Sequence, residues 1–177
     1  HYLSAADLSR SEAEALLERG LALKAEWKSG GHSDLLLRGK TLALVFEKPS
    51  LRTRVAFEAG MTQLGGHGSY LSANDIDMGG RESVPDVARN LSRWVQVIAA
   101  RVFRHSTVEE LARHATVPVI NALCDREHPC QALADLMTMR EHFGRLQGLT
   151  LAYVGDGNNV CHSLMLLCAS LGVNINI

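Results

Sequence analysis

The chain has 177 residues, 46% of them hydrophobic and 21% charged, with a formal net charge of −1. That length and composition suit one large domain, or one domain and part of a second, around a real apolar core. The near-zero charge gives no electrostatic drive toward nucleic acid or an anionic membrane surface, and no apolar run approaches the ~20 residues that span a bilayer.

Ser4 to Lys28 has helical spacing, with Leu8, Leu16, Leu17, Leu21, Leu23 and Trp27 as its apolar positions. Gly30-Gly31-His32-Ser33 reads as a loop, and the unbroken apolar run Thr41–Phe46 as a buried strand. A helix over 52–64, amphipathic from Val55 to Leu64, is stopped by Gly65-Gly66, and Gly68–Leu71 gives a second short strand. Asn74–Glu82 is a polar, glycine-containing loop, Val84–Trp94 a helix and Val95–Val102 a buried strand. Helix 107–115 and strand 117–120 follow. Pro129–Phe143 then runs as a long helix, with Gly148 marking its end. A new cycle begins with strand Leu149–Val154, loop Gly155–Asn159, helix 160–171 and strand 173–177.

This alternation predicts an α/β fold, a parallel sheet with helices on both faces. The long helix bridges a first domain, residues 1–132, to the truncated start of a second α/β domain at 133–177. The first residue is His1 rather than Met and the last strand has nothing after it, so the chain reads as a fragment. No charged segment followed by an apolar one opens it, which leaves secretion unsupported. Cys124, Cys130, Cys161 and Cys168 contain no C-x-x-C pair and read as reduced thiols of a cytoplasmic compartment.

Three stations carry chemistry. Lys48-Pro49-Ser50-Leu51-Arg52-Thr53-Arg54 lies between a strand and a helix, with Ser50 where an N-cap belongs. First-turn N–H groups remain free there, and two arginines at the positive end of a helix dipole are unfavourable unless an anion joins them. The turn is a phosphate cradle or a plain helix start with surface arginines. It is not a Walker loop, which needs G-x-x-x-x-G-K-[ST]. The second station is Arg101, which ends an apolar strand at the sheet edge where open α/β folds bind ligands; alone, it reads more readily as a solvent-facing strand end. The third is His128-Pro129-Cys130-Gln131 at a helix start, with Pro129 suited to the first helical position. His128 can donate to a carbonyl oxygen, and Gln131 offers both a donor and an acceptor. Cys130 has no general base placed by spacing, and Cys124, His128 and Cys130 fit no common zinc pattern, so neither a thiol nucleophile nor a metal is expected.

The order and spacing of these stations, together with Gln63-Leu64-Gly65-Gly66, Glu82-Ser83 and Ala132-Leu133-Ala134-Asp135, resemble the aspartate/ornithine carbamoyltransferase family. His1-Tyr2-Leu3-Ser4 and Gly155-Asp156-Gly157-Asn158-Asn159-Val160-Cys161-His162-Ser163 resemble its ornithine branch. The resemblance covers nearly the whole chain and implies a carbamoyl-phosphate-binding domain, with most of the amino-acid-binding domain missing.

It further implies that Ser50, Arg52, Thr53 and the backbone N–H of Leu51 grip the phosphate of carbamoyl phosphate. The family usually has Thr at the Leu51 position, so one hydroxyl is lost here. Arg101 matches the arginine bridging phosphate and carbamoyl oxygen, His128 the histidine polarising the carbonyl, and Gln131 the residue holding the carbamoyl NH₂. Pro129 and Cys130 complete that segment. A homotrimer is implied, in which residues 75–82 of a neighbouring subunit reach each site. Asp77 departs from that pattern, being acidic where a polar or basic donor is usual, so either Arg81 substitutes or the loop contributes little. Asn159 matches an asparagine that contacts L-ornithine. No cofactor is implied, because arginines do the electrostatic work that a metal does elsewhere.

The competing readings are a relative with another acceptor amine (putrescine, N-acetylornithine, aspartate), a non-catalytic carbamoyl-phosphate-binding module, and an NAD-dependent dehydrogenase. The last rests on Gly155-Asp156-Gly157, but Val160 stands at the third glycine position and Asn174 and Asn176 stand near where an acidic residue is expected.

Overall fold

β1 (Thr41–Phe46) is buried along all but its first residue, as its unbroken apolar sequence requires of a strand covered on both faces. The computed structural model describes residues 1–31 and 36–177; His32 and Ser33 of the expected loop lie outside the described residues. β2 (His67–Ser72), β3 (Val97–Arg101) and β4 (Val119–Leu123) pair with it in a parallel sheet of order β2-β1-β3-β4. The expected parallel sheet is therefore present. Tyr2 adds a further bridge at the β4 edge, its N–H donating to the Val119 carbonyl at 2.8 Å.

The side-chain period of two divides β1 between two cores. Leu42, Leu44 and Phe46 face Phe57 and Met61 of α2 (Leu51–Gln63). Ala43 and Val45 face the other way, toward Val87, Ala88 and Leu91 of α4 (Val84–Leu91) and Val108 and Leu111 of α5 (His105–His114). Helices thus cover both faces. A third core joins Ala13 and Leu17 of α1 (Arg10–Lys28), Ala132 and Leu136 of α6 (Pro129–Phe143), and Leu164, Leu167 and Leu171 of α7 (Asn159–Leu171). β5 (Thr150–Ala152) and β6 (Asn174–Asn176) form a separate parallel pair.

Several expectations are corrected. The helix expected over Ser4–Lys28 is interrupted, because Ser4 caps a short 3-10 turn at Ala5–Asp7 and Ser9 caps α1. Each serine forms a reciprocal capping box, with Asp7 and Glu12 respectively, and two successive caps stop one helix and start another. Of the apolar positions expected there, Leu17 is buried while Leu16 and Trp27 are exposed. The loop Asn74–Glu82 overlaps a helical turn, α3 (Ala73–Ile76), capped at its far end by Asp77 in the left-handed region (φ 49°). α6 ends at Gly144, which takes the left-handed conformation (φ 71°), not at Gly148. No described helix is long and apolar enough to cross a membrane.

Candidate active site

The cleft lies outside the carboxyl ends of β1 and β3, where the connections diverge to opposite sides of the sheet. Its volume is about 540 Å³. Three segments converge on it: the start of α2, the end of β3 and the start of α6. Phe57, Leu123 and Val160 supply apolar wall.

Ser50 is the N-cap of α2 as its sequence position requires; its Oγ accepts the Thr53 N–H at 3.3 Å and donates to Thr53 Oγ1 at 3.0 Å. Capping satisfies that one amide. The N–H groups of Leu51 and Arg52 keep no acceptor among the described residues and form the dipole-positive tip of the helix. The Leu51 side chain is 79% exposed and lines no part of the cleft, leaving only its backbone available to a ligand. Ser50, Arg52 and Thr53 line it directly.

The two arginines of this turn differ. Arg54 leaves the site: its Nε donates to Glu58 at 3.2 Å and its guanidinium stacks 3.8 Å from the Tyr70 ring centroid. The crowding of two cations at the tip of α2 is relieved for Arg54 by Glu58, and only Arg52 stays in the cleft.

Arg101 ends β3, whose pairing with β4 shifts register between Ala100 and Arg101. Its Nη1 reaches Thr53 Oγ1 at 3.5 Å, and its Nε is buried without a hydrogen-bond partner among the described residues. Burial lowers its pKa, and the neighbouring Arg52 adds to the effect. Among the described residues, no carboxylate forms an ion pair with Arg52, Arg101 or Lys48. Unpaired, partly buried cations are costly, and an anion bound among them would offset that cost.

His128 is the N-cap of α6 and its backbone N–H donates to Ser163 Oγ at 2.9 Å. Burial, then Arg101 and Lys48, push its imidazole down to about 4, so it is neutral near pH 7. Its Nδ1 is buried and unpartnered. A neutral imidazole carries one N–H donor, the form that can polarise a carbonyl without adding a full charge. Gln131 Nε2 donates to Asp135 Oδ1 at 2.9 Å, and both side chains line the cleft.

Pro129 is buried at the first position of α6, its carbonyl accepting from Tyr2 Oη at 3.4 Å; it fixes the segment without lining the cleft. Cys130 lines it, but burial pushes its thiol up to about 11, which leaves it protonated and a poor nucleophile. No group of three or more His, Cys, Asp or Glu side chains among the described residues could hold a metal ion.

Asn159 does not line the cleft. Its Nδ2 donates to the Cys124 carbonyl at 2.6 Å, tying α7 to the end of β4. Asp77 and Arg81 also lie outside it. The Asp77 carboxylate accepts the Arg81 N–H at 3.1 Å, and the Arg81 guanidinium pairs with Glu82 at 3.1 Å.

Lys48, Asp135, Glu127 and Ser163 had no assigned role in the sequence. Lys48 adds positive potential at His128. The buried Glu127 carboxylate accepts from Ser4 Oγ at 2.6 Å, Ala5 N–H at 2.8 Å and Ser163 Oγ at 3.0 Å, so it supports the loop that presents His128. The Gln131–Asp135 pair was legible as an i,i+4 spacing on one helix face. The Glu127–Ser163 contact, between loop and distant helix, had no local signal.

The chain is similar to known proteins along nearly its whole length. Residues 1–141 match the model of the family described as aspartate/ornithine carbamoyltransferase, carbamoyl-P binding domain. The ornithine carbamoyltransferase of Anoxybacillus flavithermus is 54% identical over 173 residues, covering 98% of this chain and 55% of the relative. That of Cenarchaeum symbiosum is 53% identical over 175 residues, covering 99% of this chain and 57% of the relative. Among solved structures, ornithine carbamoyltransferase from Pyrococcus furiosus superposes with a TM-score of 0.95 at 50% identity, covering 98% of this chain and 55% of that one. The chain spans about half the length of the curated relatives it matches.

Proposed function

The chain belongs to the aspartate/ornithine carbamoyltransferase family, and from that premise we propose that it binds carbamoyl phosphate and forms the donor half of an ornithine carbamoyltransferase. The observation that carries this reading is one cleft holding Arg52, Arg101, Lys48's potential and the free tip of α2, with two buried polar atoms, Arg101 Nε and His128 Nδ1, still without partners. Buried polar atoms are ordinarily satisfied, and a phosphorylated acyl ligand supplies the missing acceptors and donors.

In this reading Ser50, Thr53, Arg52 and the Leu51 N–H hold the phosphate, and Arg101 spans phosphate and carbamoyl oxygen. His128 donates to the carbonyl oxygen, and Gln131 accepts from the carbamoyl NH₂. The neutral δ-amine of L-ornithine attacks the carbonyl carbon, the C–O bond to phosphate breaks, and the proton lost from the amine leaves with the phosphate as citrulline forms. Charge develops on the carbonyl oxygen as the tetrahedral state is reached, and a lost donor there costs ~3–4 kcal/mol of barrier. The cations stabilise the departing phosphate.

We place the domain boundary near residue 132, with α6 as the link. The ornithine side of the site belongs to the second domain, to which Asn159 contributes; freeing its amide from Cys124 is part of this proposal. A homotrimer whose neighbouring subunit brings Asp77 and Arg81 to the cleft fits the exposed position of that loop. A cytoplasmic compartment is consistent with four unpaired cysteines, and the citrulline formed would serve arginine biosynthesis or the arginine deiminase pathway. The dehydrogenase reading loses its physical basis, because Asn158 Oδ1 already accepts the first N–H groups of α7, from Val160 at 3.0 Å and Cys161 at 3.3 Å, where a pyrophosphate would bind.

Titration calorimetry with carbamoyl phosphate, beside a citrulline assay in the intact protein with ornithine, putrescine, N-acetylornithine and aspartate, tests the proposal. Binding with ornithine-dependent turnover supports it. Binding without turnover of any acceptor leaves a carbamoyl-phosphate module, and no binding refutes both.

A further inference from the structure

The cleft has two chemically different ends. Around the tip of α2, the side chains of Arg52 and Arg101 are pure donors. At the other end, on α6, stand Gln131 and Asp135, one helical turn apart. Gln131 is ambiguous by itself, since its amide can present either NH₂ or oxygen to a ligand. Asp135 removes that ambiguity. An ionised carboxylate only accepts, so it takes the NH₂ edge of the amide, as the 2.9 Å contact from Nε2 to Oδ1 shows.

We propose that Asp135 is a specificity-determining positioning residue: by holding the Gln131 NH₂ it leaves Gln131 Oε1 as an acceptor for the ligand, so that the site selects a carbamoyl group over an acyl group without an N–H, such as acetyl. This rests on the carbamoyl phosphate reading above. The opposite amide orientation would turn two NH₂ groups toward each other, with no acceptor between them. The phosphate end takes no part in this choice, because carbamoyl and acetyl phosphates present it with the same oxygens.

Desolvation raises the pKa of the half-buried Asp135 carboxyl, and the Gln131 contact that fixes the amide offsets part of that rise. Asp135 is confined to the acyl end: its only hydrogen bond among the described residues is with Gln131, and it pairs with no cation.

The test is competition binding of carbamoyl phosphate, acetyl phosphate and inorganic phosphate to the wild-type chain and to Asp135→Asn, Gln131→Ala and the double variant. Asparagine keeps the shape of aspartate but can face Gln131 with either edge, so it removes the orientation while conserving packing. Asp135→Asn should weaken carbamoyl phosphate about tenfold, the loss of roughly one well-formed hydrogen bond, and leave the other two ligands unchanged. Gln131→Ala should lose the same preference, and the double variant should lose no more, as expected of residues acting through one contact. Retained preference in Asp135→Asn, or parallel weakening of all three ligands, overturns the inference and leaves Asp135 a structural residue. Failure of the wild type to bind carbamoyl phosphate at all sinks the underlying functional reading instead.

Discussion

Arg101→Met should make the ligand-free protein as stable as wild type or slightly more so, while nearly abolishing its response to carbamoyl phosphate. Arg101 is a partly buried cation without an ion-pair partner among the described residues, its Nε unsatisfied and its one contact to Thr53 a long 3.5 Å. Methionine keeps the apolar stem and removes the desolvated charge, a change worth between 0 and about +1 kcal/mol for the empty fold. The ligand loses a charge-assisted partner for its phosphate, about 2–4 kcal/mol, or ~30- to 700-fold in Kd. At a ligand concentration 100 times the wild-type Kd, wild type gains ~2.7 kcal/mol, which for a domain of this size raises Tm by ~5–11 °C. The variant at the same concentration gains less than about 1 kcal/mol. Thermal melts of both proteins, with and without carbamoyl phosphate, read the two effects separately. A variant destabilised by several degrees when empty, yet shifted like wild type by ligand, would show that Arg101 is a structural residue whose charge the site does not use.

Arg52→Ala should weaken carbamoyl phosphate binding strongly while Arg54→Ala leaves it within about twofold, since Arg54 is spent on Glu58 and Tyr70; calorimetry on both decides whether the two arginines are distinct. The His128 pKa, depressed in the fold to about 4 from 6.5, means that the unfolded chain binds the extra proton between those values, so stability falls as pH drops from 6.5 toward 4. After discounting for the solvent-facing part of the ring this is ~1–2 kcal/mol, and His128→Gln should lose that much less between pH 7 and 4.5 in urea titrations. Glu127→Ala leaves the Ser4, Ala5 and Ser163 donors without their acceptor and should cost ~3 kcal/mol of unfolding free energy, with Glu127→Gln recovering part of it. Ser50→Ala should cost ~1 kcal/mol through loss of the α2 cap and should weaken phosphate binding in the same variant; an unchanged affinity would separate the cap from the cradle.

The three chemical stations were visible in the chain because each sits at a junction that local rules mark: a serine N-cap after an apolar strand, a charge ending a buried run, a proline opening a helix. The strands were legible for a similar reason, since a parallel sheet covered on both faces demands continuous apolar runs, and Thr41–Phe46 and Val97–Ala100 supply them. The break at Leu8–Ser9 was missed because the leucine spacing continues across it while two capping serines interrupt the backbone. Capping chemistry outweighed periodicity there. For Arg54 the Glu58 partner is four residues on along the same helix and so legible locally, whereas only the packing of α2 on β2 brings Tyr70 beneath it.

Order and type along the chain thus determined most of the secondary structure, the parallel sheet and the three segments that line the cleft, because capping, hydrophobic runs and helix polarity act over a few residues. What the tertiary structure alone decided was convergence and state: that Arg101 reaches Thr53 across the sheet edge, that His128 is held neutral by burial beside two cations, and that Ser163, on a distant helix, grips the loop of Glu127 and His128. Those are matters of desolvation and of contacts between residues far apart in the chain, and neither quantity exists until the chain has folded.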